Sequence, residues 1–259
     1  MCRIAAYLGE DVDLATFLLR PPHSLYRQSW DARELTEARV NADGFGIGWY
    51  APDRQAATYI NTSPIWSDPN LDSLGRTLSS GCWLGNVRSA TPGLGVSLAN
   101  TQPFHGANWL FTHNGFVEDF AQALRPRLSR ELADDIHAEI KGTTDSEYLF
   151  ALIRQRMREN PHADPADVMF LAVEALDRWM GQNRCLLNWI LTDGQRVFAL
   201  RDAVGAEAPS LYFCTDSETT PNGQWIASEP LDDSEFWRPI PQGALLILDH
   251  DQPPELRAR

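Results

Sequence analysis

Strand-like runs stand at both ends of this 259-residue chain, and the long helical segments lie between them. Segments 2–8, 46–50, 82–87 and 108–112 are apolar, β-prone and bounded by turn residues; the first is a short buried strand at the N-terminus. A capped helical turn at 13–19 stops before Pro21-Pro22. In the middle, Glu147 to Ile153 opens an amphipathic helix that ends near Asn160-Pro161. Asp164 caps the next helix, with Pro165 at its first position and Phe170, Val173, Leu176 and Trp179 on one face. After Gly181, 185–191 and 197–200 form a hairpin around Thr192-Asp193-Gly194, and strands at 211–214, 225–228 and 244–248 follow. This is not the β-α-β alternation of a doubly wound sheet, and no linker divides the chain. A single α+β domain of layered sheets and helices is expected.

Composition narrows the partners. With 43% hydrophobic residues the chain can bury a core, and its net charge of −13 offers no basic footprint for nucleic acid. The first residues turn acidic at Glu10-Asp11, too soon for a secretory segment, and no apolar run could span a bilayer. Cys2, Cys82, Cys185 and Cys214 lie far apart without a CxxC pair, which argues against a zinc site or a disulfide scaffold. A cytoplasmic protein with no nucleic-acid or membrane partner is expected.

The most informative position is Cys2. Removal of Met1 before a small residue would leave a thiol and a free α-amine on one residue. That amine has an unperturbed pKa of ~7.7–8.0, so it can take the thiol proton and later protonate a leaving group. Alternatively, Cys2 simply packs as a small hydrophobe. Three further segments bear on the choice. Arg88, in Asn86-Val87-Arg88-Ser89-Ala90-Thr91, ends a strand with a side chain suited to a carboxylate, or to a surface ion pair. Asn114-Gly115 ends another strand, either as a hairpin turn or as an oxyanion hole made by the Asn amide and the Gly N–H. Asp145 stands at a helix start, as part of an N-cap box or as a partner for a substrate ammonium.

Together these segments resemble the class II glutamine amidotransferase family: an N-terminal Cys, an R-x-x-T at a strand end, Asn-Gly, then an acid before a helix. The resemblance implies a four-layer αββα fold of the N-terminal nucleophile hydrolase type, with residues 2–259 as one domain. It implies Cys2 as nucleophile, Asn114 and Gly115 as oxyanion donors, Arg88 and Thr91 at the glutamyl carboxylate, and Asp145 at the ammonium. Where larger synthase members have histidine after that threonine, Pro92 stands here.

Finer segments are similar to the ergothioneine-pathway γ-glutamyl-hercynylcysteine sulfoxide hydrolases. They include Met1-Cys2-Arg3, Pro21-Pro22-His23-Ser24-Leu25, Asn41-Ala42-Asp43-Gly44-Phe45-Gly46 and Ala227-Ser228-Glu229-Pro230-Leu231. The resemblance covers most of the chain, most weakly between about 120 and 181. It implies hydrolysis of a small-molecule γ-glutamyl substrate without metal or cofactor; protein partners are left undefined. The alternative is a glutaminase subunit that passes ammonia to a synthetase. A third, from another class, is a non-catalytic binding protein that keeps the fold.

Trp30 and Trp66 are either an aromatic wall for a quaternary ammonium or core tryptophans. His113 reads as a hydrogen-bonded structural histidine, and Cys82, Cys185 and Cys214 as inert core. Gly95-Val96-Ser97-Leu98-Ala99 lacks the strand that a nucleophile elbow needs before it.

Overall fold

The computed structural model describes residues 1–35, 40–90, 95–215 and 220–259. In chain order, β1 (Arg3–Asp13), α1 (Leu14–Leu18) and α2 (Leu25–Asp31) precede the hairpin β2 (Phe45–Tyr50) and β3 (Ala56–Asn61). Next come α3 (Leu71–Thr77), β4 (Ser79–Val87), β5 (Phe104–Gly106) and β6 (Trp109–Val117). The helical middle holds α4 (Arg125–Glu131), α5 (Asp134–Ala138), α6 (Asp145–Glu159) and α7 (Pro165–Met180). The chain closes with β7 (Cys185–Thr192), β8 (Arg196–Val204), β9 (Tyr212–Cys214), β10 (Gln224–Ala227), β11 (Arg238–Pro239), β12 (Ala244–Asp249) and β13 (Glu255–Ala258).

Two antiparallel sheets result, ordered β11-β9-β10-β1-β4-β2-β3 and β13-β12-β8-β7-β6-β5. Side-chain alternation builds the layers. On β1, Ile4, Ala6 and Leu8 face the second sheet and pack with Leu110 and Ile190, whereas Ala5 and Tyr7 face α1 and α2 with Phe17 and Leu25. On β6 and β7, Phe111, Trp189 and Leu191 turn outward onto α6 and α7, against Phe150, Leu152 and Val173. The order is helix, sheet, sheet, helix, the αββα arrangement expected.

Local signals set the helix starts. Asp13 accepts from Thr16 N at 2.8 Å and Asp164 from Ala166 N at 2.9 Å, each meeting one of the N–H groups that a helix start leaves unpaired. The hairpin at Thr192-Asp193-Gly194 forms as read, with Gly194 at φ 87°.

Two readings change. β1 is not a short strand: it runs to Asp13, past a register shift between Leu8 and Val12, because β4 pairs along both parts of it. Asn114-Gly115 neither ends a strand nor makes a turn. It lies inside β6, where Asn114 pairs with Asn188 and Gly115 with Leu187, since β7 offers a partner over its full length. Asp145 stands at a helix start as read, the first residue of α6, with Thr144 as its cap.

Candidate active site

β1 sits in the middle of its sheet, between β10 and β4, so Cys2 enters it at the mouth of the space between the sheets. Arg3 holds it there. The Arg3 Nε donates to the Cys2 carbonyl at 2.7 Å, and Nη1 donates to Glu229 Oε1 at 3.0 Å. The Glu229 carboxylate also meets His23 Nε2 at 2.7 Å and accepts from Arg33 N at 2.8 Å and Glu34 N at 3.0 Å. Burial alone would raise this carboxyl; the hydrogen bonds from His23, Arg33 and Glu34 and the Arg3 charge outweigh it and hold the pKa at about 2. Ser228 fastens the next residue from both sides, its Oγ accepting from Ile4 N at 3.0 Å and its N–H donating to the Ile4 carbonyl at 2.9 Å. The Cys2 side chain is nearly buried, with Sγ 3.9 Å from the Ser89 carbonyl.

Arg88 comes beside Cys2 through sheet register. Arg3 lies opposite Val87, so the chain leaving β4 runs past the N-terminus. The Arg88 backbone is fixed by Gly44 O at 2.8 Å and Asp43 N at 3.0 Å. Arg88 is 4% exposed, yet its guanidinium reaches only the carbonyls of Asp43 and Gly95 among the described residues, both at 3.4 Å. Among the described residues it has no carboxylate partner, the state in which a guanidinium can take an incoming one. Thr91, expected beside it, lies outside the described residues.

On the opposite sheet, β6 carries the Asn-Gly pair. Asn86 Nδ2 crosses between the sheets to Thr112 Oγ1 at 3.2 Å, so the residues on that face of β6 look toward β1 and β4. Two positions further on the same face stands Asn114, fully buried, with neither Oδ1 nor Nδ2 partnered among the described residues. An unmet buried amide costs ~1–3 kcal/mol and is retained where something else uses it.

The backbone of β6 adds a second donor. His113 turns its N–H to Gln102 Oε1 at 2.6 Å and accepts from Gln102 Nε2 at 3.1 Å. Val117 N–H goes to Asp145 Oδ2 at 2.8 Å. Backbone groups alternate sides along a strand, so Gly115, midway between them, presents its N–H to that same edge. β5 covers the edge only along 109–111. Only glycine fits here: a Cβ at position 115 would lie 1.9 Å from the Leu186 carbonyl oxygen and 2.4 Å from His113 Nε2.

Asp145 thus shares an edge with Gly115 and brings a buried carboxylate, which accepts from Val117 N and, at 2.7 Å, from Ser146 N. Asn100 ties this helix start to the Arg88 loop, accepting from Thr143 N at 2.8 Å while its Nδ2 donates to the Gly95 carbonyl at 3.0 Å.

The structure therefore places Cys2 and Arg88 at one sheet, Asn114 and Gly115 on the facing one, and Asp145 at the start of α6 against the edge of β6. His113 is structural, as expected. Its Nε2 meets the Leu186 carbonyl at 2.8 Å and Nδ1 the Ser146 hydroxyl at 2.9 Å, and burial lowers its pKa so that it stays neutral. Cys82 and Cys185 are core thiols pushed up to about 12 by burial. Trp30 and Trp66 are not core tryptophans: they meet edge to face at 5.7 Å, with Trp66 40% exposed and Arg27 over the Trp30 ring.

Sequence reasoning assigned nothing to Arg3, Glu229, Gln102 or Asn188. Asn188 had a signal, a lone amide within the apolar run 185–191. Arg3 and Glu229 meet across more than two hundred residues, and Gln102 bonds β6 from a loop ten residues before it, so neither contact carries a local signal.

The family described as "Glutamine amidotransferases class-II" matches residues 23–211. The γ-glutamyl-hercynylcysteine sulfoxide hydrolase of Mycolicibacterium smegmatis is 31% identical, over 95% of both chains. The probable glutamine amidotransferase DUG3 of Saccharomyces cerevisiae is 28% identical, over 96% of this chain and 82% of its own. Among solved structures, a glutamine aminotransferase class-II domain protein from Silicibacter pomeroyi superposes with a TM-score of 0.72 at 27% identity, covering 99% of each chain. Glutamine phosphoribosylpyrophosphate amidotransferase of B. subtilis shares the fold, with a TM-score of 0.70 at 16% identity, over 99% of this chain and 49% of its own.

Proposed function

Since the chain belongs to the class-II glutamine amidotransferases, we propose that it is a hydrolase of γ-glutamyl amides whose nucleophile is Cys2, freed by removal of Met1. The proposed substrate is γ-glutamyl-hercynylcysteine sulfoxide, the compound in the name of the relative that is 31% identical. The observation that carries this reading is Asn114: a fully buried amide with both polar atoms unpartnered, beside a Gly115 N–H turned to an uncovered strand edge. Such a pair is what a developing oxyanion requires.

The proposed chemistry follows from the residues. The neutral α-amine of Cys2 takes the thiol proton, and Sγ attacks the γ-carbonyl carbon. Asn114 Nδ2 and the Gly115 N–H receive the oxyanion. As the C–N bond breaks, the amine departs with the proton from the Cys2 ammonium, and water then releases glutamate from the thioester. Arg88, with Thr91, holds the α-carboxylate and Asp145 the α-ammonium, which anchors the glutamyl group at its far end. This work belongs in a reducing cytoplasm, where the free cysteines found here persist.

The yeast relative's name favours a second reading, a glutaminase that feeds ammonia to a partner. Product analysis with synthetic γ-glutamyl-hercynylcysteine sulfoxide and with glutamine separates the two. Glutamate release from the first substrate, abolished by Cys2→Ala without loss of fold, is expected; rapid turnover of glutamine alone would sink the first reading. Intact-mass measurement checks the premise, because a retained Met1 blocks the amine.

A further inference from the structure

A small apolar cluster stands apart from the three large cores. Leu186, Ala203 and Ala208 are its buried part, and Phe116, Ala206 and the Met1 side chain pack on it. It lies one step beyond the polar row of the site. Phe116 follows Asn114 by two residues on β6 and pairs with Leu186, which pairs in turn with Ala203 on β8. Strand alternation puts Phe116, Leu186 and Ala203 on the same face as Asn114.

Met1 occupies this shelf while bonded to the Cys2 nitrogen. In the chemistry proposed above, that nitrogen hands its proton to the departing amine, so the amine must come within hydrogen-bond reach of it. Loss of Met1 uncovers the nitrogen and the shelf together.

A buried acceptor beside the shelf is the second observation. Asn188 pairs with Asn114 across β6 and β7. Its Nδ2 donates to the Pro209 carbonyl at 3.0 Å and the Ser210 carbonyl at 2.9 Å, which fixes the amide's orientation. Oδ1 is therefore an obligate acceptor, fully buried and without a donor among the described residues. An N–H on a bound amine would satisfy it.

We infer that Phe116, Leu186, Ala203, Ala206 and Ala208, with Asn188 Oδ1, form a leaving-group subsite for a primary α-amine bearing an extended, weakly polar side chain of methionine's size. This rests on the γ-glutamyl reading and deepens it. The balance is unchanged: Sγ–C forms, C–N breaks, and the proton passes from the Cys2 ammonium to the leaving nitrogen. The three alanines supply the room. Ammonia, the leaving group of glutamine, would leave the shelf unused, so the site favours substituted γ-glutamyl amides.

The test compares γ-glutamylmethionine with glutamine by kcat/KM, using protein shown by intact mass to lack Met1. The parent protein is expected to prefer γ-glutamylmethionine. Ala206→Trp, in the loop after β8, fills the shelf and should lower the ratio of the two kcat/KM values at least tenfold; Ala203→Leu should lower it in the same direction. Glutamine turnover in each variant reports that the site has folded. A ratio within twofold of the parent in both variants overturns the subsite, as does a parent that hydrolyses glutamine but not γ-glutamylmethionine. A parent that turns over neither substrate sinks the γ-glutamyl reading and the subsite with it.

Discussion

Two buried polar regions meet at Cys2, and they are built on opposite plans. Around Glu229 nearly every group is partnered: the carboxylate takes Arg3, His23 and two backbone N–H groups, and Arg3 in turn holds the Cys2 carbonyl. Around Asn114 polar atoms are buried and left unmet: both side-chain atoms of Asn114, Oδ1 of Asn188 and Oδ1 of Asn86. A buried charge is tolerable only when paired and hydrogen-bonded, so the first region is scaffold that fixes the backbone at Cys2. Unmet amides cost stability in the free protein and gain partners when a ligand arrives. The second region is therefore the proposed binding surface. Arg3 Nη2 and Gln28 Oε1 are unmet in the first among the described residues, but the carboxylate and the salt bridge at its centre are fully partnered.

The contrast breaks if substitutions in the two regions behave alike. The largest effect is expected at Glu229: Glu229→Ala leaves Arg3 buried and unpaired, at a cost of about 3–5 kcal/mol in unfolding free energy by denaturant titration. Asn114→Ala should lower kcat by about 10²–10³ while the melting temperature stays near that of the parent. A large fall in melting temperature there would make Asn114 scaffold too.

Acid should attack both regions. The Glu229 pKa is lowered from 4.5 to about 2, so its contribution of about 3 kcal/mol is complete above 4.5 and is lost as pH falls from 4.5 toward 2. His113 adds a loss that begins at higher pH. Its folded pKa is depressed, so below about 6.5 the unfolded chain binds a proton that the fold refuses. Stability measured against pH should decline below 6.5 and again below 4.5, and Glu229→Gln should flatten the lower limb. The smallest effect is expected at Arg88. Arg88→Ala removes charge-assisted bonds worth about 1.5–3 kcal/mol, raising KM by about 10–100-fold with little change in kcat. An unchanged KM would detach it from the glutamyl group.

Much of the fold was legible because its signals are local. Asp13, Asp164 and the Thr192-Asp193-Gly194 turn act within a few residues of themselves, and the apolar runs at 185–191 and 244–248 needed no partner to be recognised. Short edge pieces such as β5, β11 and β13 carry no such signal, since a strand of two to four residues is defined by the neighbour that pairs with it. The misplacement of Asn114-Gly115 has the same origin. Asn-Gly is a turn signal in isolation, and only pairing with Asn188 and Leu187 keeps it extended.

What the sequence by itself determined is the chemistry: a thiol at position 2, the arginine, the amide with its glycine and the acid, in an order that resembles one family. The tertiary structure alone decided which of their atoms remain available. Whether a buried amide is saturated or unmet depends on partners up to hundreds of residues away, such as Glu229 for Arg3, and those distances are closed by sheet register rather than by sequence spacing.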